Sequence, residues 1–588
     1  METKEFKSIA EILYLRGEIE RDKTAIIFLQ SKEKEEKVTY GELSNRAKAI
    51  ALELKQKLDF GDRVLLLYPP GIEYISAFFG CLYAGVIPVP AYPPDSRNTE
   101  RLLMIIKDSQ SKYALSTSGI MNYVDSLSEA TIVNDDRREG VECLSQIGWI
   151  ATDLIVSSPN IEYVPEKVKP TDIVFLQYTS GSTGNPKGVI LNNTNLLDNL
   201  KAIRDALGCY SGTHMVSWLP PYHDMGLIGG ILQPLYSGIG LTSMAPMTFL
   251  RNPFLWLDQI SKRKEQGGVI SGAPDFAYQL CVRKISEEKL ASLDLSNWKV
   301  AYSGAEPVKE STLIDFFQKF KVSNFKMSTF LPVYGLAEAT LLVSSGEKTK
   351  EPFTINIDKE ALKNQKVQVI TKEDTNKISF VSCGSKEEGH EIHIVNPETC
   401  TLSKDGEIGE IWIKSPSVAV GYWQNEKLTQ EVFNAYIQDV NEEGFFRTGD
   451  LGFMIDQNLY ISGRHKDLII IRGKNYYPQD IEHTVQTAHE SLRPGCGSAF
   501  AIESEDGGES LIIVQEVKRE FRRKIDIEEV TNAIYLSVSR EYQIQVKDVV
   551  LIEPSSFPKT TSGKLQRLAS KELYLKNNLQ PIKAYLVC

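Results

Sequence analysis

Short apolar runs closed by glycine or proline alternate along this chain with stretches whose apolar residues recur at helical spacing. Arg63-Val-Leu-Leu-Leu-Tyr68 reads as a strand. Ile72 to Tyr83 repeats its apolar residues at helical spacing and predicts a helix. Val86-Ile-Pro-Val-Pro90 then returns to extended chain, because proline and the residue before it avoid helical geometry. Further on, Leu196, Leu197, Leu200, Ile203 and Leu207 share one side of a helix that Thr194 or Asn193 can cap. This alternation predicts an α/β fold in which layered sheets are flanked by helices.

A second pattern begins near Gly463-Arg-His-Lys-Asp467. An apolar run, Leu468–Ile471, is followed by a turn at Gly473 and a helix from about Pro478. A hairpin of Ser498–Ile502 and Ser510–Val517 is joined through Asp506-Gly-Gly508. Helix Ile527–Tyr542, strand Val549–Ile552 and a basic segment complete it. The expected organisation is a large N-terminal domain over residues 1–463, a hinge at 464–467 and a small α+β C-terminal domain over 468–588. A chain of 588 residues exceeds one ordinary core. Residues 347–376 mix acidic and basic side chains with weak periodicity, as a surface insertion would.

Composition narrows the classes. Hydrophobic residues at 42% support a packed globule rather than disorder. A net charge of −11 argues against a broad nucleic-acid footprint. The eight cysteines are scattered without a CxxC pair, which favours free thiols in a reducing cytoplasm over a disulfide framework or zinc site. His390 and His393 fall in a stretch that alternates like a strand and lack the spacing of a helical ligand pair. The N-terminus has no apolar signal-peptide core. Met225 to Leu250 carries no charge and is long enough to span a bilayer, but Pro234, Pro246 and five glycines interrupt it. A buried strand–helix segment lining a cavity fits that run better than a stable membrane span.

The chemistry concentrates in Tyr178-Thr-Ser-Gly-Ser-Thr-Gly-Asn-Pro-Lys-Gly188, set between apolar runs Ile173–Leu176 and Val189–Leu191. Glycines let backbone N–H groups converge, hydroxyls add donors and Lys187 adds charge, a combination suited to polyphosphate. The spacing is not that of a P-loop. Taken alone, the segment also reads as a flexible hairpin loop. Four further segments follow in order: Tyr302-Ser-Gly-Ala-Glu-Pro307, Tyr334-Gly-Leu-Ala-Glu-Ala-Thr340, Phe446-Arg-Thr-Gly-Asp-Leu-Gly452 and Pro558-Lys-Thr-Thr-Ser-Gly-Lys564.

Together these five segments resemble the adenylate-forming superfamily of acyl-CoA synthetases, luciferases and nonribosomal peptide adenylation domains, over nearly the whole chain. The resemblance implies a two-step reaction: a carboxylate attacks the α-phosphate of ATP, and a thiol then takes the acyl group. It assigns Thr179, Ser180, Gly181, Ser182, Thr183 and Lys187 to the phosphates, although Lys187 read alone is equally a solvated lysine. It places Tyr334, with Gly335, Leu336 and Ala337, against adenine and Ser303, Gly304, Ala305 and Glu306 on the other side. Ordinary core packing is the plain alternative for Tyr334. Glu338 is assigned to Mg²⁺; a glutamate at a helix N-terminus is the bland reading. Asp450 suits ribose hydroxyls, with Arg464 beside the sugar or phosphate. Lys564 is the expected catalytic charge, delivered by domain closure, with Thr183 and Glu338 as its catalytic companions and Lys466 as the hinge.

Trp218-Leu-Pro-Pro-Tyr-His-Asp-Met-Gly-Leu-Ile-Gly-Gly230 is the segment expected to floor the acyl pocket, with His223, Met225, Gly226, Ile228, Ile231 and Phe276 lining it. These suit an alkyl chain; an amino acid would want a buried carboxylate, for which Asp224 is the one candidate. This wording, Arg472-Gly-Lys-Asn-Tyr-Tyr-Pro-Gln-Asp-Ile-Glu482 and the insertion at 347–376 resemble fatty acyl-AMP ligases. In that branch the insertion goes with loss of coenzyme A use, and the acyl group passes to the phosphopantetheine thiol of an acyl carrier protein. A long-chain acyl-CoA synthetase and an inactive nucleotide-binding module are the alternatives.

Overall fold

The computed structural model describes residues 6–32, 34–94, 99–129, 144, 146–158, 161–179, 186–263, 267–471, 474–503, 509–559 and 565–582. Its largest sheet has nine strands. Six of them run parallel, in the spatial order Phe330–Gly335, Trp298–Ser303, Gly268–Ala273, Thr213–Ser217, Gly240–Met244 and Thr24–Leu29. Antiparallel strands close both edges. A second, fully parallel sheet holds Ile87–Pro90, Arg63–Leu66, Tyr113–Ser116 and Gly148–Ala151. Helix Ile72–Ala84 is buried along nearly its whole length and joins the two layers. Its apolar residues have no solvent face because it is packed on more than one side. A six-stranded antiparallel sheet built on Glu442–Ile455 forms the third layer. This is the expected α/β architecture with a large, sheet-rich first part.

Two local expectations shift. The cap of helix Asn193–Leu207 is Asn192, not Asn193 or Thr194: Asn192 and Asn195 exchange side-chain and backbone hydrogen bonds in a capping box. Strand Lys187–Asn192 runs straight into the helix, so its last residue has the extended backbone that a cap requires. The uncharged run from Met225 folds as a buried π-helix, Met225–Leu232, then helix Gln233–Ser237 and strand Gly240–Met244. Among the described residues no helix is long and apolar enough to cross a membrane.

Residues 347–376 form structure of their own. Strand Thr354–Asp358 pairs with Val369–Ile370 and Lys377–Val381, with helix Lys359–Lys363 between. Ile355, Ile357 and Leu362 pack with Leu451, Phe453 and Tyr460 of the third layer and with Tyr477. Beyond strand Asn458–Arg464 and a single turn, His465–Asp467, the chain builds a separate core around Ile481, Ile513, Ile534 and Val538. There helix Ile527–Tyr542 occupies the expected residues, and Leu492–Glu503, Glu509–Val517 and Val546–Ile552 make a three-stranded sheet. The turn at Gly473 and the hairpin connection Asp506-Gly-Gly508 lie outside the described residues.

Candidate active site

A cavity of about 1590 Å³ opens between the sheets and the C-terminal core. Its polar end is set by strand pairing. Asp450 and Arg464 face each other on antiparallel strands, and Arg464 Nε donates to Asp450 Oδ1 at 3.1 Å. Tyr334 OH donates to Asp450 Oδ2 at 2.8 Å. Tyr334 is buried, and burial together with the Asp450 charge pushes its phenol well above the ordinary value. Behind them Glu410, nearly fully buried, accepts from Arg447 and from the Gly449 backbone, which fixes the turn carrying Asp450. Each carboxylate oxygen has more than one lone-pair direction, so Asp450 keeps capacity for hydroxyl donors.

Glu338 lies in a short turn, Ala337–Ala339, after strand Phe330–Gly335. Tyr422 OH donates to its Oε1 at 2.9 Å. Burial raises the Glu338 carboxyl above its usual range, although Tyr422 and Arg464 pull the other way. Lys187 sits over the Tyr422 ring, with its ammonium 5.0 Å from the centroid. Burial, then the nearby Lys466 charge, lowers the Lys187 pKa. Lys187, Tyr422, Glu338, Arg464 and Lys466 thus crowd one wall. Gly335 has a packing reason: a Cβ there would meet Leu341 O at 1.7 Å.

Of the other expected residues, Thr179 pairs with Lys187 at the hairpin end, and Leu336, Ala337, Ala305 and Glu306 line the cavity. Ala305 adopts φ 66°, a left-handed turn that ends the strand and brings Glu306 round to accept from Phe276 N at 2.7 Å. Ser303 and Gly304 lie behind the wall instead. Ser303 is fully buried within the sheet, and a Cβ on Gly304 would strike Val333. Ser180, Gly181, Ser182, Thr183 and Lys564 lie outside the described residues. The residues flanking the last of these, Lys559 and Leu565, pair with each other and line the cavity.

The apolar end differs from expectation. His223 and Met225 line it, and His223 Nδ1 contacts Asp224 Oδ1. The same Asp224 oxygen accepts from Met225 N at 2.6 Å, so this carboxylate is engaged at the start of the π-helix. Ile228 and Ile231 are buried in the core behind the wall, and Phe276 packs edge-on against Trp218 at 6.2 Å. The wide π-helix brings Met225 and Gly229 to the cavity and leaves Ile228 and Ile231 off its wall. Gly226 lines a small second pocket with Trp218, His223 and Met225, and it is also small for contact: a Cβ there would meet Pro220 O at 1.9 Å. Ile203, Leu207, Val333 and Leu341 complete the wall. Ile203 and Leu207 were visible in the sequence as one side of a helix, with nothing to separate a core face from a cavity face.

A family model described as AMP-binding enzyme matches residues 16–423. The chain belongs to the AMP-binding enzyme family. A second model, the AMP domain of Disco-interacting protein 2-like proteins, matches residues 466–584 of this AMP-binding enzyme. The chain is 40% identical over 591 residues to a medium-chain-fatty-acid–[acyl-carrier-protein] ligase of Moorena producens, covering 99% of this chain and 98% of that one. It is 34% identical to a long-chain-fatty-acid–AMP ligase of Mycobacterium tuberculosis, covering 97% of both. Among solved structures, a fatty acyl-adenylate ligase from L. pneumophila in complex with acyl adenylate and pyrophosphate is 39% identical. It matches with TM-score 0.74 over 98% of this chain and 97% of that one. A structure from a study of fatty acyl-adenylate ligases of E. coli and L. pneumophila matches at 31% identity and TM-score 0.85, over 97% and 98%.

Proposed function

We propose that this enzyme activates a medium- or long-chain fatty acid with ATP. The products are acyl-adenylate and pyrophosphate, and the acyl group then passes to the phosphopantetheine thiol of an acyl carrier protein. The observation that carries the reading is a single cavity with two chemistries: Asp450, Arg464 and Glu338 line it together with Leu207, Val333 and Leu341. Near-complete matches to acyl-carrier-protein and AMP ligases support it.

In this reading Asp450 accepts the ribose hydroxyls, held by Tyr334 and Arg464. Tyr334, Gly335, Leu336 and Ala337 border the adenine. Lys187 and the loop it closes meet the phosphates. Mg²⁺ fits the donor set: Glu338 is a carboxylate lining the cavity that accepts from Tyr422 through one oxygen, and a carboxylate has further lone pairs for a cation. A hard cation takes one or two protein oxygens together with phosphate and water. When bound it supplies charge neutralisation for the phosphates. Lys564 brings a positive charge to the point where carboxylate and α-phosphate meet, and closure about Lys466 delivers it. His223 and Met225 border the carboxylate end of the acid, and the apolar wall beyond them removes the alkyl chain from water.

The insertion is proposed to restrain the C-terminal domain. Lys359 pairs with Glu541, Lys474 Nζ approaches Glu360 Oε2 at 3.3 Å, and Asn475 Nδ2 donates to Lys363 O at 3.1 Å. These contacts favour one domain pose over the swung pose that receives a small thiol. The test uses purified protein, ATP and a panel of fatty and amino acids, with coenzyme A or a phosphopantetheine-loaded carrier protein as acceptor. Fatty-acid-dependent pyrophosphate exchange, with carrier preferred over coenzyme A, is expected. Exchange with amino acids alone, or efficient acyl-CoA formation, overturns the reading.

A further inference from the structure

Helix Thr99–Ser109 lies against the hairpin that carries Lys187: Tyr178 OH donates to Asp108 Oδ2 at 2.5 Å. Arg101, Met104 and Asp108 fall at i, i+3 and i+7 and so share one side of this helix. Arg101 and Met104 line the same cavity as Thr179 and Lys187. Arg101 is half-buried, and among the described residues it has no carboxylate partner. Burial lowers its pKa from the ordinary value, and the Tyr92 phenol is the one titratable group that opposes this. An arginine keeps its charge in such a place, and a partly desolvated cation without a counter-ion is costly until an anion arrives.

We propose that Arg101 contacts the terminal phosphates of ATP and the pyrophosphate product, as a second cation in addition to Lys187. The inference rests on the adenylating activity proposed above. In that step a carboxylate oxygen bonds to the α-phosphorus, and the bond from this phosphorus to the bridging oxygen breaks. The electron pair leaves on the β-phosphate. The charge to be met is therefore on the phosphate chain. The Tyr178–Asp108 bond ties the Arg101 helix to the strand that ends at Thr179, the described end of the glycine–hydroxyl loop. A guanidinium fork matches two phosphate oxygens at once, which a lysine does not.

The full-length chain is tested by ATP–pyrophosphate exchange. Arg101→Gln is expected to raise the KM for pyrophosphate about tenfold while the KM for fatty acid stays within about twofold. Arg101→Lys restores part of the loss, because it returns the charge without the fork. Should the glutamine variant not fold, wild-type protein answers instead. Modification of Arg101 by phenylglyoxal, read by mass spectrometry, is expected to slow several-fold with magnesium pyrophosphate and not with fatty acid. An unchanged pyrophosphate KM in a folded variant, a shift confined to the fatty acid, or absence of protection overturns the assignment. Absence of exchange in the wild type with any carboxylic acid sinks the proposed activity instead; protection by pyrophosphate remains readable in that case.

Discussion

At the polar end of the cavity, Asp450, Tyr334, Arg464, Glu338 and Tyr422 are held by hydrogen bonds of 2.8 to 3.1 Å between defined atoms. The apolar lining residues Ile203, Leu207, Val333 and Leu341 are instead placed by packing. A buried polar group needs a partner of the right chemistry at the right distance. A buried methyl group needs only neighbours of suitable volume. The polar end therefore tolerates few residue types at each position, and the apolar end tolerates many. The comparison can be attacked from either side, and the expected losses differ in size and in kind.

Loss of the proposed catalytic charge should have the largest effect. Lys564→Ala is expected to lower adenylate formation by a hundredfold or more, because it removes a charge needed in the transition state, while the fold persists. Pyrophosphate exchange with thermal melting as the control measures it. Exchange within a few-fold of wild type would remove Lys564 from the catalytic role.

At the apolar end the loss should be graded by chain length. Leu341 lines the cavity and is only half-buried, so a larger side chain can project into free space. Leu341→Trp is expected to cut adenylation of the longest accepted fatty acid about tenfold, and to spare short acids. Ile231, which the sequence suggested as a lining residue, is not a suitable position for this test. It is 7% exposed within the core, and a charge there would unfold the region rather than edit the pocket. A uniform loss at all chain lengths for Leu341→Trp would mean that this wall does not hold the chain.

The same contrast explains what the sequence could convey. Helix Ile527–Tyr542 and the strands flanking Lys187 were legible because their period and their breakers agree. Glu338, Tyr334, Asp450 and Arg464 stood in ordered motifs whose polar residues have narrow chemical uses. Tyr422 was missed although it touches both Glu338 and Lys187, because a lone tyrosine after glycine has no spacing to announce it. The apolar lining was half missed for a geometric reason. A π-helix changes which residues share a face, and the apolar sequence Met225–Leu232 is equally compatible with an ordinary helix. The small sheet begun within residues 347–376 was invisible because its strands, Thr354–Asp358 and Val369–Ile370 among them, are too short to show a period.

A stability measurement sharpens the comparison at a buried carboxyl beside the cavity residues Glu306 and Lys309. Asp275 is 4% exposed and accepts from Lys309 N and Thr312 Oγ1 at 3.1 and 2.9 Å. Burial first, then the Glu306 charge, pushes its pKa from 3.8 up to about 7. Because the folded value is the higher one, this group favours folding when protonated. Its contribution is fully present below about pH 4 and is lost as pH rises through 7. Asp275→Asn removes that slope. Its melting temperature relative to wild type should therefore rise between pH 5 and pH 8, by about 2 °C. A difference that stays flat or falls would show that the buried carboxyl is not held in its neutral form.

The smallest expected effect tests the insertion, where polar contacts are exposed rather than buried. The side chains of Lys359 and Glu541 are 27% and 40% exposed, so their pairing is worth at most about 1 kcal/mol. Lys359→Glu puts two like charges across the junction. If the contact biases the C-terminal domain against the thiol-accepting pose, acyl-CoA formation should rise about two- to fivefold, with pyrophosphate exchange unchanged. The exchanged pair, Lys359→Glu with Glu541→Lys, should return acyl-CoA formation toward the wild-type level, a result that loss of either side chain alone cannot give. Deleting the insertion should raise it further, because Ile355, Ile357 and Leu362 contribute apolar packing that the charge swap leaves intact. Equal acyl-CoA yields from all four proteins, in folded form, would mean that the insertion does not set the pose. Any discrimination against coenzyme A found in the assay would then have to arise inside the cavity.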